Sequence, residues 1–188
     1  MAYHSHYNSD TGFKLCCGIP LVPLNPAGSE SSFDPVEEAI ELFRPNSLFK
    51  NFEFRGPGDK LLVYLIIFIN SCLRRKWREG AEGSARQLLY AHAHDRFALP
   101  GQAGFPLSGL FTAPASREEE GKSDSIRTYL RQCREEVGRR LLDRLYGPAA
   151  AAPGGSGAPA SAAASCAAAT PNKHWMAFAN RRFLDRTM

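Results

Sequence analysis

Between Gly58 and Gly80 the chain carries nine consecutive residues with neither a charge nor a turn former, Leu61-Leu62-Val63-Tyr64-Leu65-Ile66-Ile67-Phe68-Ile69. Asn70, Ser71, Cys72 and Leu73 follow, and then the basic run Arg74, Arg75, Lys76, Trp77, Arg78. An apolar run of this kind suits either a buried strand or a buried helix. The branched residues Val63, Ile66, Ile67 and Ile69 favour a strand. Length and punctuation favour a helix: Gly58 breaks, Asp59 reads as a cap, and the basic cluster sits where the negative end of a helix dipole attracts cations. The apolar part is well short of the ~20 residues that cross a bilayer. Residues 59–79 therefore read as the central helix of a packed core, because a helix apolar on every side has to be wrapped by other elements.

With 188 residues, the chain is long enough for one domain with a substantial core and an appendage. Its 44% hydrophobic and 22% charged content is that of a globular protein. The net charge of +4 is too small to imply nucleic acid, but it is unevenly spread. Residues 1–58 hold four basic and seven acidic groups, whereas 171–188 hold Lys173, Arg181, Arg182 and Arg186 against Asp185. The C-terminal block is thus a candidate surface for an anionic partner, or simply a solvated face. Five cysteines (Cys16, Cys17, Cys72, Cys133 and Cys166), an odd count without a CxxC pair, fit a reducing compartment. Residues 1–15 show no secretion or transit signal.

Residues 1–32 read as an extended, non-helical arm. Its prolines, Pro20, Pro23 and Pro26, recur every three residues with Ile19, Leu21, Val22 and Leu24 beside or between them, which suits an arm lying on the body better than a free polyproline ligand. A helix starts at Asp34 as cap, with Pro35 in the first helical position, Glu37 completing a capping box, and Val36, Ile40 and Phe43 along one apolar edge. Pro45 is expected to end or kink it. The pattern of 47–54 does not decide between helix and loop. Residues 81–97 read as a helix with Leu88, Leu89, Ala93 and Phe97 inward.

Residues 100–111 form a loop that mixes turn formers with Phe105, Leu107, Leu110 and Phe111. A loop that apolar is either pinned to a core or offered to a partner. Residues 123–146 are the clearest amphipathic helix: Ile126, Tyr129, Leu130, Cys133, Val137, Leu141 and Leu145 point inward, and Arg127, Arg131, Arg134, Glu135 and Arg139 line the other side. Gly138 within it suggests close backbone packing. Residues 149–170, nearly all Ala, Gly, Pro and Ser, read as a flexible, disordered insert. Pro171 then opens a last element whose Trp175, Met176, Phe178, Phe183 and Leu184 return to the body.

No phosphate-binding, dinucleotide, zinc-protease or nucleophile-elbow motif is present. His92 and His94 are two apart, so a helix sends them to different sides, and they do not make a metal pair. Cys16-Cys17 has only Lys14 nearby to lower a thiol pKa. Gly101-Gln102-Ala103-Gly104 has the shape of a KH loop without its basic residues. What emerges is a compact helical protein whose chemistry is binding or scaffolding.

The blocks Ala2-Tyr3-His4-Ser5, residues 18–24, Glu38-Ala39-Ile40, Phe49-Lys50-Asn51-Phe52, Asp59-Lys60-Leu61-Leu62-Val63-Tyr64, residues 100–107, Tyr129-Leu130-Arg131-Gln132 with Arg134-Glu135-Glu136, and Lys173, Trp175, Phe178 with Arg181-Arg182-Phe183 follow one another in the order of a known family. The chain resembles subunit 3 of the actin-related protein 2/3 complex over nearly its whole length outside the insert. It departs from that pattern at Pro45, at His174 where the family usually repeats tryptophan, and in the 149–170 insert. The resemblance implies an all-α fold: a single globular domain over 1–188 with one buried central helix surrounded by others. It implies a cytoplasmic, cytoskeletal, non-enzymatic scaffold subunit without a cofactor or metal of its own. Its partners would be the other members of a seven-protein complex, chiefly actin-related protein 3, and actin filaments through the complex, with no nucleic acid and no membrane insertion. Partner contact is expected at Phe105, Leu107, Leu110, Phe111, Arg181 and Arg182. The alternative is a free-standing helical nucleic-acid-binding module that uses the C-terminal Arg/aromatic block, though no recognised motif or broad basic face supports it.

Overall fold

The computed structural model describes residues 2–10, 12–25, 33–49, 51–75, 82–107, 111, 123–147, 171–181 and 183–184. The described chain is mainly helical. Five helices run in the order α1 (Pro35–Asn46), α2 (Pro57–Arg74), α3 (Glu82–His94), α4 (Ser123–Tyr146) and the short α5 (Lys173–Met176). A 3-10 turn (His6–Asn8) and an antiparallel pair, β1 (Leu15–Cys16) and β2 (Ile19–Pro20), precede them. The arm is therefore less uniform than its prolines suggest. Cys17 (φ 52°) and Gly18 (φ 75°) turn it back on itself between the two strands.

Every residue of α2 from 61 to 73 is buried, so the apolar run forms the helix that length and punctuation indicate, not a strand. α1, α4, β2 and the 3-10 turn all pack against it, and α3 lies along α4. The two polar residues within the buried span have partners. Asn70 donates through Nδ2 to the Arg181 carbonyl at 2.7 Å, and Ser71 donates through Oγ to the Phe68 carbonyl at 2.8 Å. α2 starts two residues earlier than its sequence suggests. Gly56 occupies the cap position without a side-chain bond, and Asp59 lies inside the first turn. Arg75 leaves the helix at ψ 129°.

Relieved of capping, Asp59 anchors the arm. Its carboxylate accepts from Ser5 N (2.8 Å), Asn8 Nδ2 (2.7 Å) and Arg55 N (2.9 Å), and it pairs with His4 Nδ1 at 2.9 Å. Glu38 on α1 accepts from Ser5 Oγ and His6 N, both at 2.7 Å. Asn46 exchanges two bonds with the Tyr3 backbone. Gly58 is required by this docking, because a Cβ there would lie 2.8 Å from the Tyr7 carbonyl carbon and 2.9 Å from Asn8 N. The arm thus lies on the body through polar side chains at its start and through the buried Ile19 and Val22 further on.

Pro45 sits inside the last turn of α1 without ending it. It forfeits one amide donor near a terminus, where Ser47 still returns both N and Oγ to the Phe43 carbonyl. Residues 47–49 and 51–54 are not helical. α3 stops at His94, before Phe97, and buries Ala85, Leu89, His92 and Ala93; of the expected inward residues Leu89 and Ala93 are buried, Phe97 is half-buried beyond the helix and Leu88 is exposed. Gly138 is buried against Leu89 with room for a methyl group, the nearest atom to a built Cβ being 3.5 Å away. Trp175 stacks on Phe43 at 5.8 Å, and Phe183 meets Phe52 edge-on at 5.8 Å, which closes the C-terminal segment onto the core. The Asn172 amide bonds the Leu145 carbonyl at 2.9 Å, so the chain on either side of 148–170 meets at the end of α4. The 149–170 insert, Leu110 and Arg182 lie outside the described residues.

α1 and α4 are tied by a buried ion pair. Asp34 caps α1 by accepting from Val36 N (3.0 Å) and Glu37 N (2.9 Å), and Arg140 grips the same carboxylate with Nη1 at 2.9 Å and Nη2 at 2.6 Å. Glu37, read as the second half of a capping box, instead reaches across to Arg140 and Arg144. Arg140 also donates to Glu136 at 2.7 Å, and its pKa is raised because these bonded carboxylates outweigh the cost of burial.

Two substitutions probe this frame. Leu65→Asp or Ile66→Asp buries an unpaired carboxylate in a packed site and is expected to cost more than ~4 kcal/mol, read as loss of cooperative melting by circular dichroism. Arg140→Leu leaves Asp34 buried without its cation and is expected to lower stability by about 3–5 kcal/mol in urea unfolding, against little change for Arg139→Leu on the exposed side.

Candidate interaction surface

Loop 99–107 is closed by its own backbone. Leu99 N donates to Gln102 Oε1 and Gln102 N to the Leu99 carbonyl, each at 2.9 Å, and Phe105 N donates to the Gln102 carbonyl at 3.2 Å. Gly101 and Gly104 both hold φ 87°, the left-handed region that glycine enters without strain. The closed loop aims its large side chains inward. Phe105, Leu107 and Phe111 are 3%, 2% and 6% exposed. Phe105 stacks on Tyr64 of α2 at 6.0 Å and meets Phe111 edge-on at 5.0 Å, while Lys60 Nζ lies 5.1 Å from the Phe111 ring centre. These three side chains are spent on the chain's own core. What the loop leaves to solvent is 101–104.

The C-terminal block is arranged in the opposite sense. Asn172 caps α5 by accepting from His174 N at 2.9 Å, and Trp175 is buried. His174 stays exposed. Phe178 is half-buried with its ring between two cations, Arg44 at 5.7 Å and Arg181 at 5.6 Å. The Arg181 backbone is fixed by Asn70 and its side chain is exposed. Of the six residues expected to meet a partner, Arg181 is the one placed at the described surface.

Between loop and helices lies a cleft of about 440 Å³ whose wall includes Arg74, Arg75, Arg96, Arg134, His92, Asn70 and Gly104. Sequence periodicity put Arg134 on the outer side of α4, yet it is 4% exposed. It stands four residues after Leu130 and three before Val137, on their side of the helix. Its guanidinium lies 3.9 Å from the Phe97 ring centre and 4.7 Å from that of Phe68, and Nε donates to Tyr64 Oη at 3.0 Å. Burial pushes the Tyr64 phenol up to about 12 against the opposing pull of Arg134. His92 stacks on Phe68 at 5.0 Å, pairs through Nε2 with Ser71 Oγ at 2.8 Å, and lies at Nδ1 near Arg75 Nη2 (2.8 Å) and Asp95 Oδ2 (3.2 Å). His94 points away to Glu135 at 3.0 Å. Among the described residues no group of three metal-ligating side chains forms, and no helix is long and apolar enough to cross a membrane.

The family model described as P21-Arc, the ARP2/3 complex ARPC3 (21 kDa) subunit, matches residues 1–188. The chain belongs to the actin-related protein 2/3 complex subunit 3 family. It is 35% identical to the subunit 3 of Dictyostelium discoideum over the full length of both chains. It is 35% identical to that of Saccharomyces cerevisiae, covering 100% of this chain and 99% of the other. The Arabidopsis thaliana subunit 3 is 36% identical over 98% of each. Within the blocks that carry the subunit 3 resemblance, Glu38, Ala39 and Ile40 on α1, residues 61–64 on α2, and Phe105 and Leu107 in the loop are buried, whereas 101–104, Arg131, Gln132 and Arg181 are exposed.

Burial lowers the His92 pKa below its usual 6.5, the cations Arg75 and Arg134 push the same way, and the bond to Asp95 opposes. A depressed histidine favours the folded state fully above pH 6.5, and that contribution falls away as pH drops below 6.5 towards the folded-state value. In a histidine NMR titration His92 is expected to show a midpoint below 6.5, and His92→Gln is expected to flatten the acid side of the stability profile.

Proposed function

We propose that the chain is a non-catalytic structural subunit of the actin-related protein 2/3 complex and supports the nucleation of branched actin filaments. The observation that carries this is the family match over residues 1–188, joined by relatives named subunit 3 that align from end to end. The chain works in the cytoplasm as part of the actin cytoskeleton. It acts as one folded unit whose neighbours are the other subunits, chiefly actin-related protein 3, and it reaches actin filaments through the complex. It takes no part in chemistry. The nucleic-acid alternative has no support from the family match.

The physical form of the role follows from the packing. α2 is enclosed by its own chain, so partners meet the outer elements. Arg181 and Arg182 form a contact with acidic partner groups, Arg181 being steadied over Phe178, because guanidinium binds carboxylate side by side through two hydrogen bonds. The 100–111 loop contributes through its outer rim at 101–104, with Phe105, Leu107 and Phe111 setting the loop's shape.

Arg181→Glu with Arg182→Glu is expected to leave the melting temperature of the free chain nearly unchanged, since exposed charge changes rarely exceed about 0.5 kcal/mol. The same variant is expected to enter the complex less efficiently, or to lower branch counts by microscopy. Normal incorporation together with normal branching would remove the arginine contact. Failure of the unaltered chain to co-purify with the other subunits would remove the subunit reading itself.

A further inference from the structure

We propose that the cleft between the end of α2, α3, α4 and the 100–107 loop is a binding site for a small soluble molecule carrying two or more phosphate groups.

Four arginines line this cleft against a single carboxylate, Asp95, among the described residues. That carboxylate is already engaged: Arg75 Nη2 donates to it at 2.6 Å and His92 lies 3.2 Å away. Arg74 and Arg96 are exposed, and neither has an ion pair with a described residue. The cations converge from different directions: Arg74 and Arg75 from the end of α2, Arg96 from beyond α3, and Arg134 from the middle of α4.

Geometry selects phosphate. A carboxylate offers two oxygens in one plane and suits one guanidinium laid beside it. A phosphate offers three oxygens in a tetrahedron and accepts from donors arriving along several axes. A cleft of about 440 Å³ lies within the range that holds small-molecule ligands. Among the described residues four arginines less Asp95 leave a net +3, which one phosphate at about −1.5 to −2 does not balance and two do.

The floor is built to hold its charge in place. Arg134 is buried and stacked on Phe97 and Phe68, its Nε is committed to Tyr64, and Phe97 is itself held through its carbonyl by Arg127 Nη1 at 3.4 Å. A cation fixed beside aromatic walls keeps more of its field than one swinging in water. One effect opposes: the carbonyl end of α2 carries about half a negative charge. The net +3 left by four arginines and Asp95 among the described residues exceeds it. The lowered pKa of His92 agrees with a positive surrounding, since Arg75 and Arg134 contribute to it.

The test is calorimetry on the full free chain, with inorganic pyrophosphate and inositol 1,4,5-trisphosphate as probes and citrate as a carboxylate of comparable charge. At about 0.1 M salt both phosphate probes are expected to bind at one site, citrate at least tenfold more weakly, and binding to shift the His92 ring resonances. Arg74→Gln with Arg96→Gln removes two exposed side chains that hold no ion pair with a described residue, and is expected to weaken phosphate binding at least tenfold with an unchanged melting curve. Arg131→Gln, exposed on α4 outside the cleft, is expected to have no effect. Absence of binding, equal binding of citrate, or equal losses in both variants would each overturn the site. Binding that is seen on the free chain but lost in the assembled complex would also overturn it, by showing the cleft to be filled by a neighbouring subunit. The outcomes on the free chain are independent of whether it co-purifies with its complex.

Discussion

α2 presents no side to water, and the rest of the molecule follows from that constraint. A helix buried all round its circumference cannot be satisfied by one partner. Here α1 and α4 pack on it, the arm does so through β2 and the 3-10 turn, and the C-terminal segment joins its far end where Asn70 donates to the Arg181 carbonyl. Some of these covers are small. The short α5 and the two-residue strands would not persist in water alone, since isolated helices and hairpins of that size do not repay their ordering. They are stable because α2 gives each an apolar surface already fixed in place.

Buried charge does the aligning that apolar contact leaves undone. Hydrophobic burial is indifferent to a small rotation or slide of one helix along another. Asp34 with Arg140, Asp59 with the arm, Glu38 with Ser5 and His6, and Asn46 with Tyr3 are not indifferent, because each has a direction and a length. Each carboxylate is satisfied by several donors, which is the condition under which a buried charge is tolerated. The same economy places a cationic cleft beside the core: Arg134 is buried as a cation by stacking on Phe97 and Phe68.

For a scaffold subunit this division of labour matters. Residues that set the fold are inside, and a residue at the surface is held in place by them. Arg181 is the example. Its carbonyl is tied to the buried Asn70 while its side chain is released over Phe178. A contact point anchored through its backbone keeps its position while its side chain stays available to a partner.

The sequence alone determined that the chain is mainly helical and that 61–73 lies at the centre, because an uninterrupted apolar stretch with a basic exit admits few other outcomes. It determined Asp34 as a cap and the inward positions Ile126, Leu130, Cys133, Val137, Leu141 and Leu145, since capping and helical periodicity are local properties. It also carried the family, through blocks spread in order over nearly the whole chain. Tertiary structure alone decided what depends on distant residues meeting. Asp59 reads as a cap until Ser5 and Asn8, far away in sequence, claim its oxygens. Phe105, Leu107 and Phe111 read equally as core or as partner anchors until the loop closes and turns them towards Tyr64. Arg134 reads as a solvated charge on a polar helical face, since no local rule says that Phe97 will arrive to bury it, and nothing local singles out Arg140 as the partner of Asp34. A side chain's own neighbours set its helix and its cap. Whether a charge or an aromatic ring at the edge of a face ends in water or in the core is set by what the rest of the chain packs over it.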